Sequence, residues 1–141
     1  MTDGVRVVVD RRFEAAPERV FDAWLDPASA ARWLFATADG EPVRCEIDAR
    51  VGGRFRIDER RGDAVAEHFG EYLEIDRPHR LVFTFATSFA PDAPTRVAVT
   101  VEPDGDGSRV TLEHDGVWPD HAERTRTGWA KILGQLAQVL S

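Results

Sequence analysis

One histidine, His114, is predicted to lie on the apolar face of a strand, where an imidazole could bind a ligand or transfer a proton. His114 follows Val110 and Leu112 at a spacing of two, so it shares the apolar face of their predicted strand. By phase, Arg11 falls on the inner face of the first predicted strand. An imidazole near such a face could orient a polar ligand or act as a general acid–base near neutral pH. The alternative is a histidine hydrogen-bonded within the fold near the sheet edge, and the sequence leaves both interpretations open.

Further polar candidates lie on the segment 65–75. The sequence does not show which side chains of this predicted strand face the core. His68, Tyr72 and Glu74 are spaced evenly along it, but large apolar residues stand at both odd and even positions. Alternation alone does not decide which of them face the core, and a β-bulge would change the answer. Paired polar groups in a cavity could support a cyclase or a hydrolase, whereas hydrogen-bonded structural groups are the alternative. The catalytic candidates are therefore His114, Glu74 and Tyr72.

The sequence lacks the usual signatures of metal and nucleotide sites. It has no His-Glu-x-x-His motif, no pair of cysteines, no glycine-rich phosphate loop and no nucleophile elbow. Asp104 and Asp106 imitate the start of a calcium loop, but Arg109 stands where such a loop requires glycine. The single cysteine, Cys45, alternates inward and is interpreted as an inert core thiol. We therefore expect no metal and no cofactor.

The charge balance narrows the class of partner. The chain of 141 residues has a net charge of −7 and a pI near 5.1, which disfavours a nucleic acid as partner. Its apolar stretches are short, and its N-terminus has no apolar signal region. We expect one cytoplasmic domain, residues 1–141, with neither a nucleic-acid nor a membrane partner.

Most aromatic residues of the chain have no polar group. There are eight Phe and four Trp but a single Tyr, so most rings must either pack in a core or line an apolar cavity. Both interpretations stay open, and we assign Trp24 to the core. The residues expected to line a ligand cavity are Trp33, Phe55, Tyr72, Phe83, Phe85, Val97, Val99, Leu112, His114, Trp129 and Leu133.

Changes in the hydrophobic period divide the chain into elements. Residues 5–13 are β-branched and partly alternating, which predicts a strand. Pro17 opens a short helix, and a second short helix is predicted over about 28–34. From 42 to 115 the period is two, with regular turn signals, which predicts an antiparallel meander of about six strands.

The last segment, about 118–140, has the period of a helix. Its Lys131 and Gln135 fall opposite an apolar stripe that is about 100° wide. That stripe consists of Trp118, Ala122, Thr125, Trp129, Ile132, Leu133, Leu136 and Leu140. Residues 87–94 are predicted to be a loop. These elements predict an α+β domain whose sheet curves around the C-terminal helix and leaves a cavity between them.

Several short motifs, taken in order, resemble those of a known family. They are Ala16-Pro17-Glu18-Arg19-Val20-Phe21-Asp22-Ala23-Trp24, Asp26-Pro27, Arg32-Trp33, Asp48-Ala49-Arg50-Val51-Gly52-Gly53-Arg54-Phe55, Gly70-Glu71-Tyr72-Leu73-Glu74-Ile75, Arg80-Leu81-Val82-Phe83-Thr84-Phe85 and Gly128-Trp129. With the order of elements, they resemble the START-like helix-grip superfamily of polyketide cyclases and Bet v 1-type proteins. The resemblance is to its branch related to the C-terminal domain of the activator of Hsp90 ATPase, and it covers essentially the whole chain.

The resemblance implies a curved antiparallel sheet of six to seven strands around a long C-terminal helix, with two short helices after the first strand. It also implies that Gly70 and Tyr72 face inward, which would place His68 and Glu74 inward as well. A hydrophobic cavity for a small molecule between sheet and helix is part of the same expectation.

Three functions remain to be distinguished. The first is binding of a small hydrophobic or aromatic ligand in that cavity, and the second is a cyclase or hydrolase reaction on such a ligand. The third is a protein-interaction role like that of the co-chaperone. The co-chaperone carries a separate N-terminal domain for which this chain has no room, so we expect no Hsp90-type partner. A homodimer through the sheet edge or through residues 87–94 stays open.

Overall fold

Seven strands form one antiparallel sheet in the computed structural model of this protein, which describes residues 4–37, 39–88 and 94–140. The strands are β1 (Val5–Phe13), β2 (Glu41–Ile47), β3 (Arg54–Arg61), β4 (Ala64–Asp76), β5 (Arg80–Thr87), β6 (Thr95–Asp104) and β7 (Gly107–Val117). The helices of the described chain are α1 (Pro17–Ala23), α2 (Pro27–Trp33) and α3 (Ala122–Leu140), and a 3-10 turn (Pro119–His121) precedes α3.

The sheet runs in the order β1-β7-β6-β5-β4-β3-β2, and each pairing is antiparallel. Its alternating residues bury one face, where Val97, Val99 and Leu112 have no exposed surface. Trp129 and Leu133 of α3 belong to the same core. The predicted α+β helix-grip architecture, with two short helices after the first strand, is confirmed. None of the described helices is long and apolar enough to cross a membrane.

Two prolines begin the short helices. Pro17 and Pro27 are the first residues of α1 and α2, where the missing N–H would have no helical partner. The Asp26 carboxylate caps α2 by accepting a hydrogen bond of 3.2 Å from a backbone N–H of its first turn. The Asp-Pro pair thus ends one helix and begins the next. The two helices bring Trp24 and Trp33 into edge-to-face contact, with ring centroids 4.8 Å apart.

The C-terminal helix begins later than its apolar stripe predicts. It starts at Ala122, after the 3-10 turn Pro119–His121. Trp118 precedes this turn with φ −62° and ψ 136° and is 64% exposed. A proline disfavours helical geometry in the residue before it, and a helical wheel does not take this into account. The prediction that Trp118 belongs to the core stripe of the helix is therefore wrong.

A β-bulge decides the phase of β4. His68 and Tyr72 are buried, but the pairing with β5 shifts between Tyr72 and Glu74. Beyond the shift, the Glu74 carboxylate lies 3.3 Å from the guanidinium of Arg80, with about half of its side chain exposed. Ile75 packs against the core in its place. The expectation that Glu74 faces inward is wrong, because a bulge reverses the alternation that follows it.

The two predicted connections between the last three strands are described to different extents. The turn Asp104-Gly105-Asp106-Gly107 joins β6 to β7 as expected, and Gly105 has φ 61°, a backbone region that glycine enters readily. Of the predicted loop 87–94, Thr87 ends β5, and residues 89–93 lie outside the described ranges.

Candidate functional site

His114 belongs to a chain of hydrogen bonds that joins α3 to β7, β6 and β5. The Trp129 indole N–H donates to Nδ1 of His114 at 3.0 Å, so Nε2 carries the proton of the neutral imidazole. Nε2 donates to Oγ1 of Thr95 at 2.6 Å, and the Thr95 hydroxyl donates to the Phe85 carbonyl at 3.1 Å. Both ring nitrogens of His114 therefore have a defined partner.

The surroundings of His114 keep its ring neutral. The residue is 4% exposed, and burial, only partly offset by the charge of Asp115, lowers its pKa to about 4. Nδ1 could accept a proton only by giving up its hydrogen bond from Trp129. Partners at both ring nitrogens are what the second interpretation drawn from the sequence, a hydrogen-bonded structural histidine, requires. It leaves neither nitrogen free for acid–base work.

The described contacts do not bring the three catalytic candidates together. The Tyr72 ring lies 5.6 Å from Phe55 and 6.4 Å from Phe83, measured between ring centroids, and burial raises the pKa of its phenol. Glu74 lies beyond the bulge, paired with a surface arginine. Among the described residues, no contact joins any two of His114, Tyr72 and Glu74.

Cys45 lies on β2 and is half-buried against the core. Its Sγ donates to the Pro27 carbonyl at 3.4 Å, and burial raises the pKa of the thiol. A protonated thiol is a poor nucleophile and a poor metal ligand. The described part of the chain contains no group of three or more His, Cys, Asp or Glu residues that could hold a metal ion.

The residues expected to line a cavity pack against one another. Trp33, Phe55, Tyr72, Phe83, Val97, Val99, Leu112, His114, Trp129 and Leu133 are each at most 5% exposed, whereas Phe85 is partly buried. Trp24 lies in the same core, as predicted. The void bordered by Trp24, Tyr72 and Phe83 has a volume of only about 10 Å³, which is room for one water at most. A larger ligand in this interior therefore requires a side chain to move.

Phe35, which the sequence patterns did not single out, fills the centre of this interior. The Phe35 ring stacks on His68 and Phe85 with centroid distances of 4.6 and 5.0 Å, and it lies 5.6 Å from Trp129. Its backbone has φ 59°, in the left-handed region that costs a residue with a Cβ about 1–2 kcal/mol. Periodicity does not single it out, because it follows α2 and belongs to neither a helix nor a strand.

Residues 33–37, which we call the strap, are held from two sides. From α3, the Gln135 amide donates to two carbonyls of the strap at 2.8 and 3.0 Å. From β3, the Arg61 guanidinium donates to the Phe35 carbonyl at 3.0 Å. The sequence pattern places Gln135 opposite the apolar stripe, so its contact with the strap is found only in the structure.

A buried carboxylate anchors the strap to β3. Glu59 is 4% exposed. It accepts hydrogen bonds of 2.8 Å from both the N–H and the hydroxyl of Thr37, and one of 2.7 Å from Arg61. Burial by itself would raise the pKa of this carboxyl, but the hydrogen bonds lower it overall. Gly40 provides the room, since a Cβ there would lie 2.1 Å from the Glu59 carboxyl carbon.

An open cleft of about 880 Å³ lies between the strap, β1 and the C-terminal half of α3. We call it the strap cleft, and its volume is typical of small-molecule sites. Its lining includes Phe35, His68, Arg11, Arg61, Lys131 and Ile132. Arg11 therefore lies on the inner side of β1, as its phase predicts. The strap cleft adjoins the ring that fills the interior.

His68 lies at the boundary between the filled interior and the strap cleft. Its Nδ1 donates to the Ile57 carbonyl at 3.1 Å, which leaves Nε2 as the acceptor nitrogen of the neutral ring. Burial lowers the pKa of the imidazole. The neutral ring thus presents a flat surface to Phe35.

Two other open clefts lie elsewhere on the described chain. One, of about 460 Å³, lies beside His114 and Trp118 and is bordered by Thr87 and Pro94. The other, of about 620 Å³, lies along β2, β3 and β4 and is lined by acidic as well as basic side chains.

Comparison with known proteins agrees with this fold. The model of a family described as "Activator of Hsp90 ATPase homolog 1-like protein" matches residues 14–141. Among curated proteins, no match is found.

Solved structures resemble this chain over nearly its whole length. A protein from Chromobacterium violaceum is 28% identical, with a TM-score of 0.85, and the match covers 97% of this chain and 96% of that one. A protein from Aeromonas hydrophila described as AHSA1-like is 26% identical, with a TM-score of 0.84, over 96% and 92%. A protein of unknown function from Staphylococcus aureus has a TM-score of 0.87 at 15% identity, over 98% and 94%, which shows the fold alone. From the family match and the fold, the chain belongs to the activator of Hsp90 ATPase homolog 1-like family.

Proposed function

We propose that this protein binds a small, mainly apolar ligand between the sheet and α3, and that the ligand takes the position of the Phe35 ring. The observation that carries this proposal is the position and the backbone conformation of Phe35. Its ring fills the centre of the interior, its backbone is left-handed, and it borders a cleft of about 880 Å³.

The strained backbone of Phe35 is an argument that its ring can be displaced. A left-handed residue with a Cβ persists only where its surroundings hold it, and such strain is concentrated at ligand sites. Here Glu59, Arg61 and Gln135 hold the strap by polar contacts. Because the strain is relieved when the strap moves, it offsets part of the loss of the stacking contacts of Phe35.

The walls around Phe35 suit an aromatic ligand. His68, Phe85 and Trp129 surround the ring with flat faces and edges at centroid distances of 4.6 to 5.6 Å. Aromatic pairs of this kind contribute about 0.5–1.5 kcal/mol each beyond their burial. A planar ligand in the place of Phe35 would regain these contacts.

Two buried indoles add a second line of support. Trp24 and Trp33 are at most 1% exposed, and their Nε1 atoms have no hydrogen-bond partner among the described residues. An unpaired buried donor costs about 1–3 kcal/mol. Trp24 borders the small void beside Phe35, so a ligand oxygen that reaches this void would come close to one of these donors.

The test is a fluorescence titration with the neutral apolar probe N-phenylnaphthylamine. Phe35→Ala is expected to bind the probe at least tenfold more tightly than the wild type, because it opens the interior without a competing ring. Phe69→Ala, which removes a half-buried ring of β4 outside the strap cleft, is the matched control and should bind like the wild type. Phe35→Leu, which keeps an apolar side chain but cannot stack, serves if the alanine variant does not fold. Equal affinity of the wild type and the Phe35 variants would overturn the proposal.

The closed interior also favours a second candidate, a protein-interaction module that uses an outer face. The same titration separates the two candidates. An absence of saturable binding by both the wild type and Phe35→Ala would support the interaction module over the ligand-binding protein.

A further inference from the structure

We infer that the ligand carries a carboxylate, which binds to Arg11 and Lys131 at the strap cleft while its apolar part takes the place of Phe35. This inference rests on the proposed function for the apolar part and adds the chemical class of the ligand, an amphipathic monocarboxylic acid.

The charge of the strap cleft is opposite to that of the protein. The chain has a net charge of −7, yet all charged residues of the described chain that line this cleft are basic, namely Arg11, Arg61 and Lys131. Basic groups that line one cleft, with no acidic side chain in the lining, attract a small anion. The cleft along β2, β3 and β4 has acidic and basic groups together and lacks this property.

Two of the three basic side chains are available to a ligand. Arg61 is engaged by the Glu59 carboxylate and the Phe35 carbonyl. Arg11 and Lys131 have no ion pair or hydrogen bond of their side chains with any described residue. Elsewhere in the described chain Arg6 and Arg77 are paired with Asp or Glu side chains, and Arg19 and Arg96 are not. Arg11 and Lys131 are distinguished by their position in the lining of the strap cleft. A carboxylate would give Arg11 and Lys131 the charge-assisted partner that they lack.

The helix opposite Arg11 leaves room for its guanidinium. A Cβ placed on Gly134 of α3 would lie 4.0 Å from Nη1 of Arg11, so the guanidinium lies against the helix at a position without a side chain. Gly128 also lines the cleft, and a Cβ there would meet nothing within 4 Å. A glycine inside a helix costs about 1 kcal/mol relative to alanine. In α3 both glycines therefore add no side chain to the wall of the strap cleft.

One ligand molecule in the strap cleft could contact both its apolar and its basic side chains. Phe35, His68 and Ile132 contribute its apolar lining, and Arg11 and Lys131 contribute the charge. A carboxylate bound between the two basic groups leaves the rest of the molecule against Phe35. The neutral His68 ring, which donates from Nδ1 to Ile57, adds an aromatic surface and no competing charge.

The test compares naphthoate with naphthamide, which has the same ring system without the charge, by isothermal titration calorimetry. The wild type is expected to bind naphthoate at least tenfold more tightly than naphthamide, and added salt should reduce this preference. The double variant Arg11→Gln, Lys131→Gln should abolish the preference while leaving the affinity for naphthamide unchanged. Arg19→Gln, on the exposed side of α1, is the matched control and should keep the preference.

The outcomes separate this inference from the proposed function. If Phe35→Ala binds naphthamide and naphthoate equally well, the proposed function stands and the carboxylate inference fails. If the preference for naphthoate survives in the double variant, the assignment to Arg11 and Lys131 is overturned. If neither compound binds to the wild type or to Phe35→Ala, the proposed function itself fails.

Discussion

The protein buries two histidines, and their surroundings differ. Around His114, hydrogen bonds run without a break from the Trp129 indole to the Phe85 carbonyl. Among the described residues, the His68 ring has one hydrogen bond, to a backbone carbonyl, and its face is covered by Phe35. The region of His114 is a complete polar network beside the cleft of about 460 Å³, whereas the region of His68 has no such network and borders the strap cleft.

Of the two regions, the one around His68 contains a strained backbone. In the described part of the chain, Phe35 is the one residue other than glycine with a positive φ, and it covers His68. The network of His114 joins α3 to three strands and so positions the helix. The strap also joins α3 to the sheet, but it does so through a strained segment. The difference teaches that a buried imidazole can serve the fold, while a strained neighbour of an open cleft marks the position that we propose for a ligand.

The comparison is tested most strongly by removing each imidazole. His114→Ala is expected to lower the free energy of unfolding by about 4 kcal/mol, because a buried ring is lost and the Trp129 N–H is left without an acceptor. His68→Ala is expected to cost about 2 kcal/mol, because among the described residues its ring has a single polar partner, a backbone carbonyl. Urea unfolding measures both values. Equal costs would remove the distinction between the two regions.

The next effect is a pH dependence of stability that belongs to His114. Its pKa is about 4 in the folded protein against an ordinary value of 6.5, so the unfolded chain binds the proton more readily between these values. The contribution of the neutral His114 ring to the free energy of unfolding is fully present above pH 6.5. It is lost as the pH falls toward 4, and the loss is at most about 3 kcal/mol.

The measurement compares the wild type with His114→Gln, whose amide can accept from Trp129 and donate to Thr95. Denaturant unfolding at several pH values between 4 and 6.5 should give a shallower slope for the variant. The carboxylates and His68 titrate in both proteins and cancel in the difference. Parallel slopes would show that His114 does not carry the effect.

The smallest predicted effect concerns the backbone of Phe35. Phe35→Gly is expected to be more stable than Phe35→Ala by about 1 kcal/mol, because glycine adopts a positive φ without a steric cost. At an ordinary helical position the order is reversed, so Ala130→Gly on the exposed face of α3 should lower stability by about 1 kcal/mol. Thermal and urea unfolding would give both differences. A more stable alanine variant at position 35 would contradict the assigned strain.

Elements with a regular period were predictable from the sequence, and interruptions of the period were not. The alternation in β6 and β7 and the apolar face of α3 are found as expected, and Arg11 lies on the side that its phase indicates. The prediction for Glu74 failed at a bulge, and that for Trp118 failed at a proline. Both errors follow from extending a pattern past the residue that ends it.

The contacts of the strap could not be predicted in this way. The Gln135 amide bonds to a carbonyl 99 residues away in the chain, and Glu59 reaches Thr37 across 22 residues. Such contacts depend on how helix and sheet come together. Local propensity contains no information about them.

By itself, the sequence determined the α+β class, the order of the elements and the inward residues of the regular strands and of α3, because each follows from local period and turn chemistry. Only the tertiary structure decided whether those inward rings enclose a space. That outcome depends on the volume left between two packed layers, and one residue with a left-handed backbone, Phe35, turns into that volume and fills it. The same packing placed the unpaired Arg11 and Lys131 at a single cleft, although they are distant in the sequence.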